Sequence, residues 1–439
     1  MGWARVFMAD LALEPELGGE IRLYDIDIGA AGDNEIIGNR ITADSRSVGK
    51  WKYRAVGSLS DALTGADIVI ISILPGTFKQ MRVDVHLPER LGIYQPVGDT
   101  VGPGGIMRAL RTIPHYVLFA QAIRDLSPDA WVLNYTNPMS MCLRALVHVY
   151  PQIKALGCCH EVFSTQELLA TMLRHETGVK PSRIDIKVNV LGINHFTWFD
   201  SAFYQGNDLT PMFARFAEKY YEAGFPDDDY EKNAECFRYT NRVKFDLLRR
   251  YGLIAAAGDR HLAEFMPGEI YLKDKESIRN WGFSLTQVDW RVADRAGRLE
   301  RTKRLVSGEE DMVLSLSGED GIPIIKALCG LKNLVTNVNL PNDALQIANI
   351  PKEVIVETNA ELSFDMVRPL GAGRLPDDIY PLFLPHIENQ SLVLEAALKK
   401  DKKAVYTAFE QDPLVRGRCT KSELLALADD MMKGTLPDW

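Results

Sequence analysis

The stretch EIRLYDID, residues 20–27, gives the first indication of the fold. It joins a short strand, Glu20–Tyr24, to two carboxylates, Asp25 and Asp27. In dinucleotide-binding folds an acidic residue at the end of the second strand accepts hydrogen bonds from both ribose hydroxyls. An aspartate that merely ends a surface strand is the alternative interpretation. The stretch therefore indicates an α/β domain that binds a dinucleotide, with Asp25 as a candidate cofactor contact.

Further short apolar strands follow this stretch, and helical patterns separate them. They are Ile68–Ile73, Trp131–Leu133 and a strand near Ala155–Gly157. Such alternation predicts a parallel sheet covered by helices. Ligands of these sheets collect at the carboxyl ends of the strands, where this sequence has polar or small residues. The turns after the strands are therefore the first places to search for a site.

The pattern changes near Arg183. A strand over Ile186–Leu191 leads through a polar turn into long amphipathic helices with irregular loops, which is typical of an α+β domain. The length of 439 residues also favours about two domains. We predict a Rossmann-type NAD-binding domain over residues 1–182. Residues 183–439 would form an α+β domain with substrate, metal and oligomer contacts.

The glycine-rich turn expected upstream of Asp25 is absent from the sequence. The chain opens with a pattern, Gly2–Leu13, that is typical of the helix following such a turn. The backbone N–H groups of that turn normally hold the pyrophosphate of the dinucleotide. We therefore expect that the first strand and its glycine-rich turn are missing, and that NAD binds weakly.

The composition argues against several classes of protein. A net charge of −9 with no basic block argues against nucleic acid as a partner. The sequence lacks the roughly 18 consecutive apolar residues of a membrane span and has no secretory signal, so we expect a cytoplasmic protein with no membrane partner. The six cysteines are too few and too scattered for a disulfide scaffold. A small-molecule ligand is the favoured partner.

Two carboxamides follow the strand Trp131–Leu133 in the stretch NYTNPM, residues 134–139. Asn134 and Asn137 could hydrogen-bond a nicotinamide or sugar hydroxyls, because Pro138 stiffens the turn that carries them. The open alternative is an Asx-turn that caps the next helix.

Cysteines and histidines occur in two separate stretches, GCCHE at residues 157–161 and LGINHF at residues 191–196. A thiolate and an imidazole suit a borderline divalent metal, and two protein ligands would leave positions open for substrate oxygens. A structural zinc would need four ligands, usually in paired short spacings. Two buried cysteines and a core histidine are the alternative interpretation.

Two polar or glycine-rich islands complete the candidates. Gly98–Gly105 could be a backbone platform beside a ligand, or only a flexible loop. The second island, Gly258–Phe265, contains four ionisable side chains: Asp259, Arg260, His261 and Glu264. A carboxylate beside a cation could act as a base, or could form a structural ion pair.

Six stretches, in order, resemble the family 4 glycoside hydrolases over almost the whole chain. They are ELGGEIRLYDID (16–27), GPGGIMRALRTIP (102–114), LNYTNPM (133–139), GCCHEVF (157–163), GINHFTWF (192–199) and VLEAALKKD (393–401). Members of this family need NAD and a divalent metal, usually manganese. The resemblance therefore implies NAD and Mn²⁺ as cofactors.

The resemblance also implies roles for single residues. The metal ligands of the family correspond to Cys159 and His195, and a substrate contact corresponds to Asn137. The contacts to NAD correspond to Asp25, Ser72, Leu74 and Asn134.

The catalytic acid and base vary within the family. This chain has His160 after the metal cysteine, where some members have aspartate, so His160 is the candidate general acid. The stretch GDRHLAEF resembles the branch in which Asp259 is the base. Other members use a tyrosine, so Tyr239 and Tyr251 are rivals.

The stretches GCCHEVF and AAGDRHLAEFMPG, the second at residues 256–268, are similar to those of the α-galacturonidases. A uronate needs a cation for its carboxylate, and arginine binds carboxylates through two N–H groups. Arg82, Arg108 and Arg260 are the candidates for that contact.

The resemblance implies hydrolysis of an α-galacturonide by transient oxidation at C3, deprotonation at C2, elimination, water addition and re-reduction, instead of the mechanism with two carboxylates. An α-galactosidase, α-glucosidase or α-glucuronidase of the same family is an alternative. A 2-hydroxyacid dehydrogenase that uses NAD, or a non-catalytic NAD sensor, is a rival outside it. We expect a homodimer or homotetramer.

Overall fold

The computed structural model describes residues 2–226, 230–436 and 438–439. The helices in these residues are α1 (Gly2–Ala12), α2 (Ile28–Ala43), α3 (Leu59–Leu63), α4 (Phe78–His86), α5 (Gly102–Leu126), α6 (Met139–Val149), α7 (Glu161–Thr177), α8 (Thr210–Lys219), α9 (Arg242–Tyr251), α10 (Asp259–Phe265), α11 (Gly268–Tyr271), α12 (Lys275–Asn280), α13 (Val288–Ser307), α14 (Gly321–Leu328), α15 (Tyr380–Lys399), α16 (Lys402–Gln411) and α17 (Lys421–Thr435). The strands are β1 (Gly18–Leu23), β2 (Lys50–Ala55), β3 (Ile68–Ile71), β4 (Trp131–Asn134), β5 (Lys154–Gly157), β6 (Lys187–Ile193), β7 (Phe196–Tyr204), β8 (Asn207–Asp208), β9 (Ile254–Ala255), β10 (Leu334–Pro341), β11 (Ile355–Ser363) and β12 (Met366–Pro369).

The central sheet has the strand order β12-β11-β10-β5-β4-β3. Strands β3, β4 and β5 are parallel, which confirms the sheet expected from the alternating pattern. Strands β10, β11 and β12 extend this sheet in antiparallel pairs, and Asn339 of β10 lies opposite Gly157 of β5. The two predicted domains, residues 1–182 and 183–439, therefore contribute strands to the same sheet. The domain boundary itself stays a prediction.

Strands β1 and β2 form a parallel pair outside the central sheet. In the described part of the chain, β1 and β3 do not pair with each other, and both line a cavity of about 580 Å³. Helix α1 agrees with the predicted Gly2–Leu13 and also lines the cavity. Asp25 and Ser72 reach the same cavity just after the ends of β1 and β3.

The hairpin of β6 and β7 differs from the expected helical pattern after Ile186–Leu191. Strand β7 pairs antiparallel with β6, and β9 pairs with β7 on its other side. Phe196, Trp198 and Phe199 on β7 are almost fully buried. The apolar run of β7 therefore belongs to a strand, because the two flanking strands satisfy its backbone hydrogen bonds.

Helix α5 runs through the main hydrophobic core. Ile113, Tyr116 and Ala120 on this helix have no exposed surface, and helices α6, α15, α16 and α17 pack around it. Burying one large apolar side chain stabilises a fold by about 1.5–3 kcal/mol. None of the helices in the described part of the chain has the length and apolar character that crossing a lipid bilayer requires.

The first turn of α5 contacts the loop before it very closely. A Cβ atom on Gly105 would lie 2.4 Å from the carbonyl carbon of Thr100. Only a glycine at this position lets the loop of residues 96–101 lie against the helix. The GPGG stretch therefore holds Thr100 in place.

We predict that Gly105→Ala destabilises the protein by about 1–3 kcal/mol, because the added methyl group overlaps the backbone of Thr100. Gly297→Ala is the matched control, since a Cβ at this exposed position on α13 meets nothing within 4 Å. Removing a helix glycine there should stabilise the protein by roughly 0.5–1 kcal/mol. Denaturant unfolding measures both changes, and an equal effect of the two substitutions would contradict the close contact.

Candidate active site

His195 lies in the turn between β6 and β7, with 3% of its surface exposed. Its backbone is left-handed, with φ of 67°, a conformation that costs a non-glycine residue on the order of 1–3 kcal/mol and persists where the surroundings enforce it. The ring Nδ1 lies 2.8 Å from Thr100 Oγ1, and the ring lies 3.9 Å from that of His261, between centroids. Burial, and next His261, lower the pKa of His195 to about 3. The imidazole is therefore neutral at pH 7.

Asp99 lies beside the two histidines. One possible ligand atom each from Asp99, His195 and His261 lies within 4.8 Å of the others. Burial raises the pKa of Asp99, but Arg108, His261 and His195 outweigh burial and hold the pKa well below its ordinary value. Thr100 Oγ1 donates its only hydrogen to Asp99 Oδ1 over 2.8 Å. It must then accept from Nδ1–H of His195, so the lone pair of the neutral ring lies on Nε2.

Glu161, the first residue of α7, is a site residue that the sequence analysis did not single out. Its Oε2 accepts a hydrogen bond of 2.8 Å from the Gly258 N–H, and its Oε1 lies 3.8 Å from His261 Nε2. Burial raises the pKa of Glu161, but His261 and His195 outweigh burial and lower the pKa to about 2. A charged carboxylate therefore lies beside the histidine pair. The only signal for it was its place in GCCHEVF.

The two neighbouring cysteines contact different residues. Cys159 hydrogen-bonds with the Asn194 side chain, whereas the polar neighbour of Cys158 is Tyr135. Burial, together with Glu357 and Glu161, raises the pKa of Cys159 well above its ordinary value. Cys159 is therefore a thiol that lies beside Asn194, the residue before His195, and outside the group formed by Asp99 and the two histidines.

A buried carboxyl group, that of Glu357, hydrogen-bonds with the turn that contains Asn194 and His195. Glu357 on β11 accepts hydrogen bonds from Asn337 Nδ2 over 2.7 Å and from Asn194 Nδ2 over 3.3 Å. Burial raises the pKa of Glu357 to about 7. No motif indicated Glu357 or Asn337, since they lie more than a hundred residues along the chain from the turn and act only through the fold.

Asn137 and Arg108 line the other side of Asp99. Asn137 Nδ2 lies 3.4 Å from Asp99 Oδ2, and Arg108 Nη1 lies 3.9 Å from the same oxygen. The Oδ1 atom of Asn137 is buried and has no hydrogen-bond partner within the described residues. This acceptor is open for a ligand hydroxyl, which is consistent with the substrate contact expected for Asn137.

Asn134 forms the Asx-turn considered as its alternative role, but it does not cap the next helix, α6. Its Oδ1 accepts from the N–H of Thr136 over 3.1 Å and from the hydroxyl of Tyr116, and its Nδ2 donates to Thr136 O. These contacts form an Asx-turn. The side chain is fully buried and engaged inside the protein.

Asp259 is also engaged internally. Its two carboxylate oxygens accept hydrogen bonds from the N–H groups of Val243 and Lys244, over 3.2 and 3.1 Å, in the first turn of α9. The residue has no exposed surface. This arrangement matches a structural role for Asp259 better than that of a base.

The remaining candidate acid and base lie around Gly258 and Cys159. Tyr239 packs its ring against Gly258, where an added Cβ would lie 3.2 Å from the ring and 3.2 Å from Glu161 Oε2. His160 has 65% of its side chain exposed, and its Nδ1 lies 3.4 Å from Glu319 Oε1. Both residues therefore border the group of His195, His261 and Glu161.

Arg82 and Arg260, two of the three arginines predicted to bind substrate, already have protein partners. Arg82 forms an exposed ion pair with Asp289. Arg260 is buried and donates to Ser284 O over 3.1 Å, and also to Pro96 O and Thr286 Oγ1.

Two of the four predicted NAD contacts, Asp25 and Ser72, line the cavity between β1 and β3. Asp25 is exposed there, and its Oδ1 accepts from the N–H of Asp27 over 2.9 Å. Asp27 caps α2 through Ala30. Ser72 lines the same cavity, and Leu74, two residues further, is half-exposed.

The fold and these contacts define an α/β enzyme with a Rossmann-type sheet and a buried centre of histidines and carboxylates beside the strand ends. Residues 1–175 match the model of the family 4 glycosyl hydrolases, and residues 190–415 match that of the family 4 glycosyl hydrolase C-terminal domain. The chain belongs to the family 4 glycosyl hydrolases and is a glycoside hydrolase. The family predicted from six sequence stretches is therefore confirmed.

Several relatives are similar over nearly their whole length. The chain is 57% identical to an α-galacturonidase of Lachnoclostridium phytofermentans, over 99% of this chain and 93% of that protein. It is 50% identical to the α-galacturonidase of Bacillus subtilis, over 98% of this chain and 94% of that protein. A crystal structure of a Bacillus subtilis protein, 49% identical, has a TM-score of 0.92 and covers 98% of this chain and 96% of its own.

A more distant structure shares the fold. It is a 6-phospho-α-glucosidase from gut microorganisms, solved with NAD and Mn²⁺. Its identity is 21% and its TM-score is 0.83, over 100% of this chain and 97% of its own. This likeness confirms the Rossmann-type architecture with its additional α+β part.

The loop that carries Asp99 depends on one more buried acid, Glu264 of α10. Its Oε1 accepts hydrogen bonds from the N–H groups of Val97 and Gly98, over 2.6 and 2.8 Å. Burial raises the pKa of Glu264 to about 8, against an ordinary value of 4.5. The folded protein therefore keeps a proton here between these pH values, whereas the unfolded chain releases it.

We predict that Glu264 makes the protein less stable as pH rises from 5 to 8, because the folded state binds the extra proton. Glu264→Gln has no carboxyl proton to lose. The free energy of unfolding of the variant minus that of the wild type should therefore increase with pH, by at most about 1.4 kcal/mol per pH unit. Denaturant titrations at several pH values measure the difference. Glu388→Gln, at an exposed position, is the control. A difference that does not change with pH would contradict the protonated state.

Proposed function

We propose that the protein hydrolyses the glycosidic bond of α-galacturonides. The observation that carries this proposal is the identity of 50–57% to four α-galacturonidases, each over at least 94% of this chain. The α-galactosidase of Bacillus subtilis is 29% identical, which favours a uronide over a neutral galactoside. We also propose that the protein is cytoplasmic and forms a homodimer or homotetramer. Size-exclusion chromatography with light scattering measures the oligomeric state.

NAD fits the cavity between β1 and β3. Asp25 has an exposed carboxylate there, as recognition of ribose hydroxyls requires, and Ser72 lines the same space of about 580 Å³. The neighbouring family structure bound to NAD supports this choice of cofactor. We propose Asp25, Ser72 and Leu74 as cofactor contacts. Asn134 would act indirectly, by holding the turn that carries Asn137.

A divalent metal fits the donor atoms around His195. The neutral ring has a lone pair at Nε2, Asp99 and His261 lie beside it, and Cys159 hydrogen-bonds with Asn194, the residue before His195. We propose Cys159 and His195 as the ligands of Mn²⁺. The thiol of Cys159 must then lose its proton on binding, so the affinity for the metal should rise with pH.

The chain's own residues handle the protons of the reaction. When bound, NAD supplies a reversible oxidation at C3 of the sugar and the divalent ion supplies Lewis-acid polarisation, which together acidify the proton at C2. We propose Tyr239 as the base that removes this proton, because both oxygens of Asp259 are bonded to α9.

The bond from C1 to the leaving group then breaks. His160, largely exposed, would protonate the leaving oxygen. Water next adds across the C1–C2 double bond, with hydroxyl at C1 and a proton at C2. Asn137 would hold a sugar hydroxyl through its open Oδ1.

We predict that Cys159→Ser removes Mn²⁺ binding and the activity that depends on it, because it replaces a soft ligand by a weak one. Cys158→Ser should retain both, since Cys158 contacts Tyr135 instead. Metal content after dialysis against Mn²⁺ measures binding separately from activity. If His261→Asn loses the metal while Cys159→Ser keeps it, the ligands are Asp99, His195 and His261 instead.

A panel of nitrophenyl glycosides tests the reaction itself, with NAD and Mn²⁺ supplied. We predict the highest kcat/KM for the α-galacturonide, and lower values for the α-galactoside, α-glucoside and α-glucuronide. No NADH should accumulate, because the hydride returns to C3 in each turnover. Stoichiometric NADH would instead identify a dehydrogenase, and a preference for the α-galactoside would overturn the proposed substrate.

A further inference from the structure

Arg291, in the first turn of α13, is a half-buried cation with no ion-pair partner among the described residues. Its guanidinium lies over the Phe237 ring, 5.6 Å from the centroid. Within residues 2–226, 230–436 and 438–439, its side chain makes no hydrogen bond or ion pair. Removing a cation from water without an opposite charge is unfavourable. A partner that is not part of the protein would explain this arrangement.

The surroundings connect Arg291 to the active site. The guanidinium of Arg260 lies 5.3 Å from the centroid of the same Phe237 ring and donates to Pro96 O. The N–H of Thr286 also donates to Pro96 O, over 3.1 Å, which joins the chain before α13 to the loop that carries Asp99. Burial lowers the pKa of Arg291, and Asp99 opposes this while Arg108 adds to it. The charges of Asp99 and Arg108 therefore act on Arg291, and the shared contacts of Phe237 and Pro96 link it to the loop of Asp99.

The local charges leave a place for one more anion. Asp99 already has Arg108 at 3.9 Å and the two histidines beside it. Burial keeps the nearby Glu264 protonated below about pH 8, by raising its pKa to about that value. Arg82 has Asp289, and Arg260 donates to three oxygens of the protein. Of Arg82, Arg108, Arg260 and Arg291, only Arg291 has no hydrogen bond or ion pair to another described residue, so its N–H groups are available to a ligand carboxylate.

We propose that Arg291 binds the carboxylate of the uronide substrate and so determines the preference for a uronide over a neutral sugar. This inference rests on the proposed function. A planar guanidinium offers two parallel N–H donors to a carboxylate, and the Phe237 ring restricts its orientation. A hydroxymethyl group at the same carbon of a neutral sugar would leave that cation without its anion.

The test compares Arg291→Gln, Arg291→Lys and the wild type on matched nitrophenyl α-galacturonide and α-galactoside. Arg291→Gln should lower kcat/KM for the galacturonide roughly 10- to 100-fold, mainly through KM, and leave the galactoside unchanged or improved. The kcat/KM of Arg291→Lys for the galacturonide should lie between those of the wild type and Arg291→Gln, because lysine keeps the charge but lacks the two parallel N–H donors of arginine. Arg295→Gln is the matched control, since Arg295 lies one turn later on α13, is exposed and stacks on Phe78.

The outcomes separate the two proposals. If the wild type hydrolyses the galacturonide and Arg291→Gln has the same kcat/KM, the proposed role of Arg291 is wrong and the proposed function stands. An equal loss on both substrates, with unchanged melting temperature, also overturns it. A wild type with no activity on uronides removes the proposed function and this inference with it. A selective loss on the galacturonide in Arg291→Gln alone supports the inference.

Discussion

The hydrogen bond of 2.8 Å between Thr100 and His195 joins two segments that lie 95 residues apart in the chain. It fixes the ring orientation of His195 and, through the single hydroxyl hydrogen, the position of the lone pair. Both partners need support from elsewhere. Glu264 and Gly105 hold the loop of Thr100, and Glu357 holds Asn194, which precedes His195. The centre therefore depends on the packing of α5, α10 and β11 as much as on its own residues.

Four buried acids around this centre differ in charge because their neighbours differ. Asp99 and Glu161 lie beside the two histidines, and Asp99 also lies beside Arg108; these neighbours outweigh burial and lower the pKa of both acids. Burial raises the pKa of Glu264 and Glu357, whose closest partners are neutral N–H groups. Negative charge is thus concentrated beside the imidazoles, where a divalent cation would bind. Glu264 and Glu357 serve the framework, because they hold backbone and amide groups in place while the raised pKa of each reduces its buried charge.

Cation chemistry differs between the two sides of Asp99. On one side the histidines form a compact centre that suits a metal. On the other side Arg108 lies 3.9 Å from Asp99, and Arg260 and Arg291 both lie over the Phe237 ring. A uronide has both requirements, with oxygens at C2 and C3 and a carboxylate at C5.

The family, the parallel strands and the turns that carry His195, Cys159 and Asn137 could be predicted from the sequence alone. These features are local, since strand periodicity and short motifs appear within a few residues. Only the tertiary structure decided which polar groups are left for a ligand. Asn134 and Asp259 have the right types and positions for chemistry, yet neighbouring N–H groups already occupy their oxygens. Glu161, Glu357 and Arg291 gain their roles from contacts far apart in the chain. Residue type states what a side chain can bind, whereas the fold determines which of its bonds the protein has already formed.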